Sequence, residues 1–233
     1  MRKRILQEYE ETKREFFFAY FALFLSALCV KYFLNISGFY KQCSKPILDV
    51  CLAVLILIAF SWLIVLLLIM FVVSFEFPIF FKHERIGKNG KPFTMWKFRT
   101  LGDDKALSLA ERKFWMGNFL RVTSLDELPQ LVNILRGEMS WIGPRALPVE
   151  YDKFFSPAQR ARFEVKPGIT GWAQVNGRHS ISWQKKFELD NYYVRHLSLG
   201  LDLRILFKTI VLVLSFKKDV SLSEKPFTGN WSR

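Results

Sequence analysis

From Val50 to Phe75 the chain carries no charged side chain, and Asp49 and Glu76 bracket the run. At about 26 residues it is long enough to cross the hydrocarbon core of a bilayer, so any fold must first give this segment an apolar environment. A second uncharged run, Phe16 to Val30, ends at Lys31. It is short for a span, although Tyr32 to Tyr40 could lengthen it. The acidic cluster Glu8, Glu10 and Glu11 and the bulky Leu28 before Cys29 argue against a cleaved signal. The run therefore reads as a retained anchor.

Hydrophobic residues make up 51% of the 233 and charged residues 24%. Both fit one protein because the apolar residues are concentrated in the N-terminal third. Four regions follow: an extension with a short anchor (1–40), a membrane helix (41–77), a mixed globular domain (78–216) and a polar, irregular tail (217–233). Lys82, Arg85, Lys88 and Lys91 follow the long run, against Lys41 and Lys45 before it, so the positive-inside rule places the globular domain in the cytoplasm. The net charge of +13 suits anionic lipid or a phosphate-rich ligand. Nucleic acid is disfavoured, since the apolar runs already supply a membrane for that charge to face. Cys29, Cys43 and Cys51 form no C-x-x-C pair, and His83, His179 and His196 share no ligand spacing, which argues against a zinc site or disulfide framework.

Within the globular part, Gly87 to Gly90 predicts a turn between strand-like flanks. Phe93 to Thr100 predicts a strand or extended segment with Lys97 and Arg99 on one side. Glu111 to Leu120, Ser182 to Arg195 and Leu201 to Phe216 predict helices. The middle one has Trp183, Phe187 and Tyr193 towards the core, and the last lies at an interface. Lys166 to Gly177 reads as loop, strand, loop: a structural hairpin, or a loop approaching a ligand.

Arg121 to Arg145 concentrates the chemistry. Asp126 and Glu127 are adjacent, Arg121 lies upstream, and Gly143-Pro144-Arg145 forms a turn downstream. Ser124 and Glu127 match a capping box, in which Glu127 would only satisfy backbone donors. Pro129 opposes that reading, because it would sit where the helix needs an N–H. A helix starting near Asp126 tolerates Pro129 in its first turn and places both carboxylates at the positive end of the helix dipole. Paired carboxylates flanked by arginines point to phosphoryl chemistry.

Arg121, the blocks S-L-D-E-L-P-Q (Ser124 to Gln130) and N-I-L-R-G-E-M-S (Asn133 to Ser140), G-P-R, and P-G-I-T-G-W-A-Q-V-N-G (Pro167 to Gly177) together resemble the bacterial sugar transferases. More narrowly, Lys45 to Phe216 resembles the small monotopic phosphoglycosyl transferases that act on polyprenyl phosphate. The resemblance implies an α+β fold. A re-entrant membrane helix would precede a compact, mainly helical catalytic domain, with interfacial helices, on the cytoplasmic face of the bacterial inner membrane. It implies transfer of a sugar 1-phosphate from a UDP-sugar to undecaprenyl phosphate with release of UMP, and leaves a homodimer open. By the same resemblance Asp126 is the nucleophile that forms an aspartyl-phosphosugar, and Glu127 helps hold Mg²⁺. Arg121 and Arg145 suit phosphate contacts because guanidinium grips phosphate bidentately. Lys97, Arg99 and Asp202 are carried over by position in similar blocks. The block Gly177 to Asp190 resembles members that use N-acetylated amino sugars.

Two departures stand out. The family's Ser-Pro in the membrane helix is here Ser61-Trp62, which weakens the local cause of a kink and keeps a two-span hairpin in play. Pro-Arg-Pro is here Pro144-Arg145-Ala146, which keeps the arginine. The rival readings are a membrane-anchored basic adaptor without catalysis and a metal-dependent phosphohydrolase.

Overall fold

The computed structural model describes residues 38–74, 77–102, 111–112, 114–177, 180–215 and 227–229. The anchor expected at Phe16 to Val30 lies outside them. The chain divides into two compact units, Met1–Ser44 and Lys45–Arg233. The described part of the first contains a π-helical turn, Tyr40–Ser44.

The second unit begins with the uncharged run, which is two helices, α1 (Lys45–Ala59) and α2 (Ser61–Val73). Phe60 leaves helical geometry (φ −103°, ψ 10°). The Ser61 hydroxyl donates to the Ile58 carbonyl at 2.9 Å, the kind of local compensation that accompanies a helix break without proline. Lys45, Asp49 and Ala53, four residues apart, are the buried stripe of α1. Ile47, Leu48, Leu55 and Ile58 on α1, and Trp62, Val65 and Ile69 on α2, are exposed. Both arms still pack on the same unit. Ala53, Ile56 and Leu57 join a cluster with Phe93, Met95, Leu131 and Ile134. Leu67 and Phe71 join Phe98, Met116 and Leu120. By length and composition the helical stretch Tyr40–Ala59 could cross a membrane.

The expected turn is present. Strands β1 (Phe80–Ile86) and β2 (Pro92–Phe98) form an antiparallel hairpin with Phe80 opposite Phe98 and Ile86 opposite Pro92. Asn89 and Gly90 take the left-handed conformation (φ 57° and 75°) that the connection needs. Helix α3 (Trp115–Thr123) starts and ends later than the sequence suggested. Ser124, itself left-handed (φ 59°), closes it. A 3₁₀ turn (Leu125–Glu127), helix α4 (Gln130–Leu135) and strand β3 (Ser140–Ile142) follow.

The chain continues through a 3₁₀ stretch (Val149–Phe154), α5 (Pro157–Arg160) and a second 3₁₀ stretch (Ala161–Glu164) to strand β4 (Gly168–Thr170). The hairpin reading of Lys166 to Gly177 is corrected here, because β4 pairs in parallel with the distant β3. A Cβ on Gly168 would lie 2.1 Å from the Gly143 nitrogen, so only glycine allows these backbones to meet. Helices α6 (Trp172–Val175), α7 (Trp183–Arg195) and α8 (Leu199–Leu214) complete the unit. As expected, Phe187 and Tyr193 are buried and Trp183 packs beside an aromatic cluster. Of the tail, the structure describes residues 227–229, which form no helix or strand. Phe227 is buried, with its ring centroid 5.2–5.9 Å from those of Tyr151, Phe154, Phe155, Trp183 and Phe187.

Candidate active site

The dyad is placed by a turn rather than by a helix start. Asp126 and Glu127 lie in the 3₁₀ turn between α3 and α4, with Pro129 at the N-cap of α4. The expected first-turn placement is thus corrected: proline begins α4 after the dyad, and Ser124 makes no capping hydrogen bond. Asn133 of α4, fully buried, clamps this region to the hairpin. Its Nδ2 donates to the Thr94 carbonyl at 2.7 Å, and its Oδ1 accepts from the Trp96 amide at 3.2 Å. The clamp sets the dyad beside Lys97, whose Nζ lies 2.5 Å from Glu127 Oε1 and 3.7 Å from Asp126 Oδ2.

Arg121 arrives through a close backbone approach. A Cβ on Gly117 would lie 2.4 Å from the Thr100 carbonyl oxygen, so glycine lets α3 pack against the segment after β2. Arg121 Nε then donates to Thr100 Oγ1 at 2.9 Å. Arg99 is buried, and its guanidinium donates to the carbonyls of Phe77 and Leu101. Arg145, beyond β3, is exposed on its turn.

All six of these residues, Lys97, Arg99, Arg121, Asp126, Glu127 and Arg145, line a single cleft of about 760 Å³. Asp202 does not. Its Oδ2 accepts from Lys45 Nζ at 2.8 Å and its Oδ1 from the Tyr193 hydroxyl at 2.8 Å, inside the protein where α8 meets α1 and α7.

The cleft also holds basic residues that sequence reasoning missed: Arg85, Arg112, Arg162 and Lys186. Eight basic and three acidic side chains therefore line the cleft, and with the Arg162–Asp190 pair buried and self-compensating, seven basic groups remain against Asp126 and Glu127, a balance suited to a ligand with several negative charges. Burial, with Arg145 nearby, lowers Arg85 to about 10, so it stays charged at neutral pH. Arg162 and Asp190 form a buried ion pair of 2.8 Å. Burial pushes Asp190 up to about 6 against the pull of Arg162 and Lys186, and pushes Arg162 down. No motif spacing signals this pair, because its members lie on separate elements.

Among the described residues no group of three or more His, Cys, Asp or Glu could hold a metal. The dyad alone can still suit Mg²⁺, which takes hard oxygen ligands and is often held by one or two carboxylates plus substrate phosphates. The Lys97 ammonium sets one positive charge beside both carboxylates.

Residues 40–216 match the family described as bacterial sugar transferase. The chain is 42% identical over 194 residues to the uncharacterized sugar transferase EpsL of Bacillus subtilis, covering 80% of this chain and 96% of that protein. It is 38% identical over 192 residues to the exopolysaccharide production protein ExoY of Sinorhizobium fredii, covering 73% and 85%. It is 38% identical over 177 residues to the UDP-glucose:undecaprenyl-phosphate glucose-1-phosphate transferase of Escherichia coli, covering 70% of this chain but 38% of that longer protein.

Proposed function

The chain belongs to the bacterial sugar transferase family, and from that premise we propose that it moves a sugar 1-phosphate from a UDP-sugar to undecaprenyl phosphate. The observation that carries this reading is the convergence of Asp126, Glu127, Lys97, Arg99, Arg121 and Arg145 on one cleft. The Escherichia coli relative is named for an activity of the same kind.

In the proposed reaction an oxygen of the Asp126 carboxylate attacks the β-phosphorus of the UDP-sugar. The bond from that phosphorus to the bridging oxygen breaks, and UMP leaves with the electron pair. A phosphate oxygen of the polyprenyl acceptor then attacks the aspartyl-phosphosugar, releasing Asp126 and forming the lipid diphosphate sugar. Two anions must meet in each step, so nearby positive charge decides the rate. Arg121 and Arg145 grip the diphosphate. Lys97 offsets the charge of the dyad. Glu127, with Asp126, would hold Mg²⁺, which when bound supplies further neutralisation of the phosphate oxygens.

The donor class we favour is an N-acetylated amino sugar, supported by the block Gly177 to Asp190. Release of UMP from a panel of UDP-sugars, with and without Mg²⁺ and polyprenyl phosphate, tests both levels. Acceptor- and metal-dependent release with a lipid-linked sugar product is expected. Free sugar phosphate as the product would instead mean a phosphohydrolase, and no release from any donor would favour the adaptor. Preference for UDP-glucose or UDP-galactose would overturn the amino-sugar assignment alone.

We also propose that the catalytic unit sits on the cytoplasmic face with the α1–α2 segment re-entrant. Both arms of the broken helix pack on one unit, which supports return to the same side. Exposed Trp115, Phe119 and Val122 on α3, and Leu203, Phe207, Ile210 and Leu214 on α8, supply apolar faces for the lipid boundary. A cysteine at Lys41, in a background without native cysteines, should stay closed to an impermeant thiol reagent in intact cells. Labelling there would make the segment a span, and labelling of a cysteine at Lys88 would place the catalytic unit on the wrong side.

A further inference from the structure

We propose that the buried Arg162–Asp190 pair is a positioning device that holds the backbone of the turn carrying Arg145. Arg162 Nη2 donates at 2.8 Å to Asp190 Oδ2 and at 2.8 Å to the Arg145 carbonyl. The pair joins three separate parts of the chain: the 3₁₀ stretch Ala161–Glu164, helix α7 and the turn after β3. On its other side the same turn is held by glycine contacts to β4, with the Gly168 amide donating to the Pro144 carbonyl at 3.0 Å. Arg145 is thus fixed by its main chain, while its side chain stands exposed at the cleft.

The pair is poorly suited to touch substrate. The side chains of Arg162 and Asp190 are 2% and 3% exposed. The Arg162 guanidinium is packed among the rings of Phe155, Phe163 and Phe187, at 5.9, 5.7 and 5.2 Å. The pair is also a poor way to gain stability. Removing two charges from water costs more than their attraction always returns, and apolar residues of similar volume often do as well or better. An apolar pair could fill this aromatic pocket. It could not donate to the Arg145 carbonyl. A guanidinium that serves two acceptors with one amino group ties the position of Arg145 to that of α7, which also contributes Lys186 to the cleft. Displacing a phosphate-gripping group by about 1 Å can cost 100-fold in rate, so control of this backbone matters for catalysis.

This inference rests on the reading of Arg145 as a phosphate contact, and one set of variants separates the two. The full-length protein in detergent or nanodiscs would be compared with Arg162→Met/Asp190→Leu, with Arg145→Lys and with the combination, measuring thermal unfolding and kcat/KM for UMP release. The double variant should unfold at the parental temperature or above it, yet lose about 10- to 100-fold in kcat/KM. The loss should not multiply with that of Arg145→Lys, because both act through one residue. Should the double variant fail to fold, Arg162→Lys carries the same cycle, since it keeps a charge beside Asp190 but its shorter side chain falls short of the point where Nη2 meets both acceptors. Parental kcat/KM in the double variant, or losses that multiply with Arg145→Lys, would overturn the positioning role. Parental activity of Arg145→Lys alone would instead remove the phosphate-contact reading.

Discussion

Two lysine–carboxylate clusters in this protein are alike in residue type and opposite in setting. Lys97 lies between Asp126 and Glu127 at the cleft, where the three side chains keep 19%, 13% and 25% of their surface open. Lys45 meets Asp202 at 2.8 Å with 10% and 5% open, and the Tyr193 hydroxyl donates to the second carboxylate oxygen. The Tyr193 hydroxyl also lies 3.0 Å from the Ile142 carbonyl. The first cluster lines the cleft; the second is filled by the protein's own groups. Charge at a cleft serves chemistry, while charge closed on itself between helices sets how α1 sits on α8. Asp202 therefore ties α8 to α1 and α7, away from the cleft lining.

The largest effect should separate the clusters outright. Asp126→Asn keeps shape and removes the nucleophile's charge, so turnover should fall by about 1,000-fold or more with no loss of stability. Glu127→Gln should cripple the Mg²⁺-dependent activity. If Asp126→Asn retained substantial turnover, the cleft cluster would be no more catalytic than the buried one. Asp202→Ala should do the reverse. It strands the Lys45 ammonium in a buried site and should cost about 3 kcal/mol or more in denaturant unfolding. Activity per folded molecule should stay within a few-fold of parental. A large kcat loss at parental stability would return Asp202 to the substrate site.

Arg145→Lys sharpens the contrast within the cleft. It preserves the charge and loses the planar fork, and should lower kcat/KM by about 10- to 100-fold. Arg121→Ala should do the same. Equal activity of Arg145→Lys and parent would show that the contact is not bidentate.

The smallest expected effect is a slope. Burial holds Asp190 at about 6 in the fold, above about 3.9 for an unfolded aspartate. The folded state keeps the proton over that window while the unfolded state has lost it, so stability should fall as pH rises from about 4 to about 6. Asp190→Asn should flatten that part of a denaturant-midpoint profile against pH. An unchanged profile would mean that Asp190 ionises in the fold as it does in the unfolded chain.

The same contrast explains what the sequence revealed. Asp126, Glu127, Arg121 and Arg145 were legible because their chemistry is local: adjacent carboxylates, a nearby arginine, a Gly-Pro-Arg turn; Lys97 and Arg99 came only from their place in blocks resembling the family. The β1–β2 hairpin was legible because Asn89-Gly90 is a turn signal in itself, and α7 because Ser182 caps it, accepting from the Lys185 amide at 3.2 Å. Asp202 could not be told from Asp126, since only burial and partners distinguish them, and Lys45 lies far away in the chain. The Arg162–Asp190 pair and the docking of Phe227 were hidden for the same reason. The parallel β3–β4 pairing depends on glycines meeting glycines across the fold, which no local pattern announces. The break at Phe60 lacks the proline that would have signalled it. The dyad's 3₁₀ turn was misplaced onto a helix because Pro129 marks a helix start without saying how far behind it the carboxylates stand.

The central claim is that Asp126 carries the sugar phosphate. It is tested most directly by intact-protein and peptide mass spectrometry after incubation with the accepted UDP-sugar and Mg²⁺ in the absence of polyprenyl phosphate. The account predicts a mass increase equal to one sugar phosphate, mapped to Asp126, absent from Asp126→Asn and discharged when polyprenyl phosphate is added. No adduct on a preparation that turns over when the lipid is present, or an adduct that persists in Asp126→Asn, would contradict it.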